Sequence, residues 1–112
     1  MLTTVVAEAA RMVRLENAPD SFDMLLSAVK IGSVSIIGIP GEPFSEIGKA
    51  LKETPGFDMI IPCCNTNGKE GYFPMQDSYD EGGYEARSSN FKAGVGEYIV
   101  EEGKELLNSL NN

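Results

Sequence analysis

The stretch "IIGIPGEPFSEIGKAL", residues 36–51, passes from an apolar run through a Pro-Gly-Glu corner into a segment of helical period. Phe44, Ile47, Gly48 and Leu51 fall at i, i+3, i+4 and i+7 and give one apolar stripe, and Pro43 suits the first turn of such a helix. A tight corner uses Gly41 and tolerates its two prolines. Nothing in turn geometry asks for the carboxylate of Glu42, so its presence there needs another reason.

Reading outward, "TPG" ends the helix, and the short apolar run "FDMIIPCC", bounded by turn residues, predicts a buried strand over 57–63 despite Pro62. Strand 34–39, helix 44–53 and strand 57–63 then form a crossover unit, for which a parallel strand pair is expected. Upstream, "FDMLLSAVKI" partly alternates, with Phe22, Met24, Leu26 and Ala28 on one face, and Gly32-Ser33 reads as a two-residue hairpin turn into "VSIIGI". Residues 3–16 place Val6, Ala9, Ala10 and Val13 at helical spacing. A last helix over about 94–110 carries Val95, Tyr98, Ile99, Leu106 and Leu110. The expected architecture is one α/β or α+β domain over 1–112: a small sheet, a central strand–helix–strand unit, and helices at both ends.

The 112 residues are 42% hydrophobic and 23% charged, which suits a globular chain. A formal net charge of −8 and a pI near 4.4 repel phosphate backbones, so nucleic acid is not an expected partner. No apolar run reaches the length of a membrane span, and the start has no signal-peptide pattern, so a cytoplasmic location is the expectation. The only cysteines, Cys63 and Cys64, are adjacent, and we expect buried reduced thiols. There is no histidine, which removes the commonest neutral-pH acid/base group and zinc ligand.

From Asn65 to Gly96 the chain is glycine-rich and irregular, with one helical turn expected around "MQDSYDE". If strands 34–39 and 57–63 are parallel, their carboxyl ends share the edge where open α/β sheets bind ligands, and Glu42 stands beside the loop "NTNGKEGYFP". Glu42, Tyr72, Asn65, Asn67, Gly68 and Gly71 are therefore the candidate site residues. The competing structural reading has Glu42 capping the helix, Tyr72 packed in the core and the glycines in turns. Other motifs fail: Pro43 and Ala50 break a phosphate-binding loop ending in "GKA", and Tyr79, Glu81 and Ser88 break a calcium loop beginning at Asp77.

Taken together, "GIPGEPFSEIGKALKE", "NGKEGYFP" and "YDEGGYEARSS" resemble, in this order, the C-terminal part of the catalytic domain of neutral/alkaline non-lysosomal ceramidase-like proteins. The resemblance runs from the first helix to the last. It implies a zinc-dependent amidase that cleaves the N-acyl bond of ceramide or a similar amide, with metal held by two histidines, a glutamate and a tyrosine. By motif, the glutamate falls on Glu42 and the tyrosine on Tyr72, with Asn65, Asn67, Gly68 and Gly71 as substrate or loop support. The family's histidines belong to an N-terminal region that this sequence lacks, and Lys69 stands where the family often has an aromatic residue. The resemblance thus implies a fragment bearing half a metal site, inactive alone, with zinc absent until that histidine-bearing region joins it and with homo-oligomers expected meanwhile. The alternative is a non-catalytic binding or assembly module.

Overall fold

Residues 2–16, 18, 23–84 and 89–111 are described by a computed structural model. In chain order they form α1 (Leu2–Glu16), β1 (Ser27–Ile31), β2 (Val34–Gly38), β3 (Glu42–Pro43), α2 (Ser45–Lys52), β4 (Met59–Cys63), β5 (Tyr72–Phe73), α3 (Gln76–Glu81) and α4 (Val95–Ser109). The fold is α+β, with a small mixed sheet and helices near both ends.

The order in the three-stranded sheet is β1-β2-β4. β1 and β2 are antiparallel, joined by Gly32-Ser33 with Gly32 at φ +62°, the left-handed first position that suits a two-residue hairpin. β2 and β4 are parallel, as the crossover pattern predicts, with Val34 opposite Met59 and Gly38 opposite Cys63. A second, two-stranded parallel sheet pairs β3 with β5.

Helices α2 and α4 cover one face of the larger sheet. Ile37 and Ile60 point into this layer from the strands, Ile47 and Leu51 from α2, and Ile99 and Leu107 from α4, while Ile39 and Phe73 close it at one end. Full burial of each such side chain is worth about 1.5–3 kcal/mol. At Gly103 an added Cβ would stand 2.6 Å from a Leu51 methyl and 3.3 Å from one of Ile37, so this glycine lets α4 lie close on α2 and β2.

Several sequence expectations change here. The strand of 57–63 is shorter, and β4 is an edge strand covered on one face only; that is why Pro62, with no N–H to donate, is tolerated in it. For the same reason the cysteines are not buried: Cys63 is half-buried on the uncovered face and Cys64, just past the strand, is exposed. In α4 the core stripe is Gly96, Ile99, Gly103 and Leu107, while Tyr98 is 59% exposed. Of the predicted stripe, Ile99 is buried and Val95 and Leu106 pack against the core, while Gly96 and Gly103 complete the contact face. Pro43 lies in β3 instead of the first turn of α2. Met24, Leu26 and Ala28 pack on the core as their alternation predicts; Phe22 lies outside the described residues.

Among the described residues, two apolar surfaces lack cover. On the open face of the larger sheet, Val29, Ile36 and Ile61 form one cross-strand row, and Ile31, Val34 and Met59 the next. All but Val34 are exposed, and a third row of Ser27, Gly38 and Cys63 leaves all nine positions without a charge. On α1, Val5, Val6, Met12 and Val13 are each more than half exposed. Among the described side chains of that helix only Arg11 and Leu15 are half-buried, and Arg11 Nη1 donates to the Ser89 carbonyl at 2.6 Å. Among the described residues no helix is long and apolar enough to cross a membrane.

Strand parity makes a direct test. Ile37→Ala should destabilise by about 2–5 kcal/mol, as a buried aliphatic truncation does. Ile36→Ala, one residue away on the open face, should stay within about 1 kcal/mol. Denaturant midpoints of the two variants check the register, and the reverse order would mean that the strand faces the other way.

Candidate functional site

Beyond Gly38 and Cys63 the two parallel strands do not simply separate. The Ile39 amide still donates to the Cys63 carbonyl at 2.9 Å, and the corner and the following loop then bond to each other. The amides of Asn65, Thr66 and Glu70 donate to the carbonyls of Gly41, Ile39 and Pro40 at 2.8, 3.0 and 2.9 Å. In return, the amides of Glu42 and Phe44 donate to the carbonyls of Gly71 and Phe73 at 2.7 and 3.2 Å. The loop can follow this path because Asn65, Asn67 and Gly71 adopt φ of +49°, +60° and +88°, which asparagine and glycine tolerate.

Through this ladder Glu42 and Tyr72 become register partners of a parallel pair, and such partners project to the same side. Glu42 is exposed and Tyr72 half-buried; their neighbours Pro43 and Phe73 turn the other way, with Phe73 wholly buried. Fixing the pair are two close approaches. A Cβ on Gly41 would lie 2.4 Å from the Phe73 ring and 2.7 Å from the Gly71 carbonyl, and one on Gly68 would lie 2.9 Å from Pro40 Cβ.

The structural alternative for these residues does not hold in its simple form. The N-cap of α2 is Phe44, and no side chain caps that helix, so Glu42 has no capping role. The core aromatic is Phe73, whereas the Tyr72 ring meets Tyr84 edge-on, with centroids 6.4 Å apart and planes at 73°. Asn67 turns its amide to Ser27 Oγ at 3.3 Å, and Asn65 serves through its left-handed backbone.

Behind Tyr72 lies a polar cluster that no sequence pattern marked. Buried Ser89 donates its hydroxyl to the Tyr72 carbonyl at 2.9 Å and accepts from the Phe91 amide at 3.2 Å. The Tyr79 hydroxyl lies 2.7 Å from the Phe91 carbonyl and 3.1 Å from Ser89 Oγ; its single hydrogen serves the nearer carbonyl. Burial raises the Tyr79 pKa above the ordinary 10.0, opposed by the adjoining Ser89 hydroxyl and the Arg11 charge and aided by Glu97. Only the isolated serine and tyrosine of "SYDEGGYEARSSN" could have pointed here, and isolated hydroxyls carry no spacing signal.

A catalytic zinc needs about three protein ligands and an open position. Among the described residues no group of three or more Cys, Asp or Glu stands together so as to hold an ion, and the sequence has no histidine. The residues present do not fit a complete zinc centre. Compared with known proteins, the chain matches no family model, no curated protein and no solved structure.

Two outcomes follow from this geometry. Gly41→Ala should cost about 1–3 kcal/mol, because its methyl must displace the Phe73 ring or the Gly71 carbonyl. Thermal melts would check it, and an unchanged midpoint would deny the close approach. Tyr79 should ionise later than an exposed tyrosine in an alkaline spectrophotometric titration. Since the folded state keeps this phenol protonated where the unfolded chain releases its proton, its contribution is intact below pH 10.0 and is lost as pH rises through the higher folded pKa. Tyr79→Phe should remove that alkaline decline.

Proposed function

We propose that this chain supplies the glutamate and tyrosine of a composite zinc site in a ceramidase-like amidohydrolase. The substrate is an N-acyl amide of the ceramide kind, and a histidine-bearing region outside the chain completes the metal site. The observation that carries the reading is the register of Glu42 with Tyr72, a carboxylate and a phenol on one side of a strand pair at the carboxyl ends of β2 and β4. This is the edge at which α/β units hold ligands, and the loop geometry spends two left-handed asparagines and a left-handed glycine to bring the two side chains together. The family resemblance assigns the same two residues independently of the coordinates.

The open face of the larger sheet fits a docking role for the completing region. Six aliphatic positions in two rows, with no charge, are what a second layer covers. Without that layer the same face favours homo-oligomers, and this feature also supports the second reading, an assembly module with no chemistry. A cytoplasmic address belongs to the proposal too, since Cys63 and Cys64 are both free thiols and Cys64 is exposed.

The chain alone should hydrolyse neither ceramide nor simpler N-acyl amides, with or without added zinc. Mixing or fusing it with the histidine-bearing region of a ceramidase-like domain should produce zinc binding, and Glu42→Ala or Tyr72→Phe should weaken that binding by roughly tenfold or more. Tight zinc uptake by the chain alone, unaffected by Glu42→Ala, would overturn the assignment. Light scattering of the isolated chain should show dimers or larger species, and a monomer at high concentration would argue against an unfilled docking face.

A further inference from the structure

A cleft of about 760 Å³ separates α1 from the segment that leads into α4. Its size is that of a small-molecule site. Its lining is out of character for the chain. In a protein of net charge −8 with nine basic residues, three of them, Arg11, Arg14 and Lys92, line this one cleft, opposed by Glu16 and Glu70. The described lining is thus net positive by one charge (three minus two), and such a spot concentrates anions.

Arg11 sharpens the point. Its Nη1 is committed to the Ser89 carbonyl at 2.6 Å, while its Nε is buried with no hydrogen-bond partner. Nε lies out of the solvent's reach, so an oxyanion in the cleft would accept from Nη2, whose contact is the Met12 Sδ at 3.9 Å in an exposed position. The positive end of α4 opens at the same place: Gly94 is its N-cap, no side chain caps it, and both Gly94 and Val95 line the cleft. The carboxylate of the first turn, Glu97, is engaged elsewhere, accepting from the Gln76 amide at 3.0 Å. Leu15, Phe91 and Val95 give the cleft an apolar stretch beside the polar Ser89 and Asn90.

We infer that this cleft binds a small organic carboxylate carried on an apolar body, with Arg11, Arg14 and Lys92 around the head and Leu15, Phe91 and Val95 against the body. A singly charged head is favoured over a phosphate dianion because Glu16 and Glu70 share the cleft and repel the second charge. The cleft is distinct from the Glu42–Tyr72 pair but shares a wall with it: Ser89 takes the Arg11 bond on its carbonyl and braces the Tyr72 carbonyl with its hydroxyl.

The test titrates the full chain, free of metal, with octanoate, octan-1-ol and inorganic phosphate, followed by amide chemical shifts and calorimetry. Octanoate should bind saturably, with shifts centred on Arg11, Phe91 and Val95, and both octan-1-ol and phosphate should bind at least about tenfold more weakly, the effect of one charge-assisted hydrogen bond. The double variant Arg14→Ala/Lys92→Ala changes exposed side chains only and should lower octanoate affinity by about tenfold or more. Arg11→Lys, which keeps the charge but loses the fork, should weaken it too. No saturable shift, an unchanged affinity in the double variant, or phosphate or octan-1-ol binding as tightly as octanoate would overturn the inference. Glu42→Ala should leave octanoate affinity unchanged, so failure here and failure of the composite zinc site are separate results.

Discussion

The rest of the structure depends on the backbone ladder between residues 39–44 and 65–73. A corner with two prolines has few amide donors, yet its carbonyls at Ile39, Pro40 and Gly41 are turned inward where water does not serve them. They are matched in that order by the amides of Thr66, Glu70 and Asn65, and the donors that the corner does have, at Glu42 and Phe44, are matched in return. Each bond is worth about 1 kcal/mol net, but leaving such a group buried and unpaired costs more, so corner and loop hold each other in a single register. That register sets Glu42 opposite Tyr72, and it also places Phe73 in the core beneath Gly41.

From this ladder the packing follows in two directions. Inward, Phe73 and Ile39 close the end of the layer in which Ile37, Ile47, Leu51, Ile60, Ile99 and Leu107 meet, and glycines at 96 and 103 let α4 approach. Outward, nothing in the described residues covers the opposite face of the sheet or the apolar side of α1. A two-layer fold whose described residues leave one sheet face apolar and charge-free presents a surface of the kind that interfaces use. The candidate site sits at the junction between the packed layer and the bare one.

Much of this was legible in the sequence because it rests on local periodicity. The hairpin at Gly32-Ser33, the parallel pair around the 45–52 helix, and the short helix after Met75 all announce themselves by pattern and turn chemistry. The proximity of Glu42 and Tyr72 was legible as well, through the common edge that a parallel pair creates. What escaped depends on long-range contacts. Period alone does not show that β4 is an edge strand, and so it predicts the cysteines inside. In α4, hydrophobic size finds Val95, Ile99 and Leu106 but also admits the exposed Tyr98, and it misses two glycines whose value is their lack of a side chain. Ser89 and Tyr79 have no motif at all; Ser89 matters because its hydroxyl serves the Tyr72 carbonyl, and Tyr79 because it ties the Phe91 carbonyl beside it.

The most direct test of the ladder is a measurement of scalar couplings across its hydrogen bonds in isotope-labelled protein. Couplings from the amide nitrogens of Glu42 and Phe44 to the carbonyl carbons of Gly71 and Phe73 should be present, with both amides slow to exchange. Absent couplings together with rapid exchange at both amides would contradict the register, and with it the placement of Glu42 beside Tyr72.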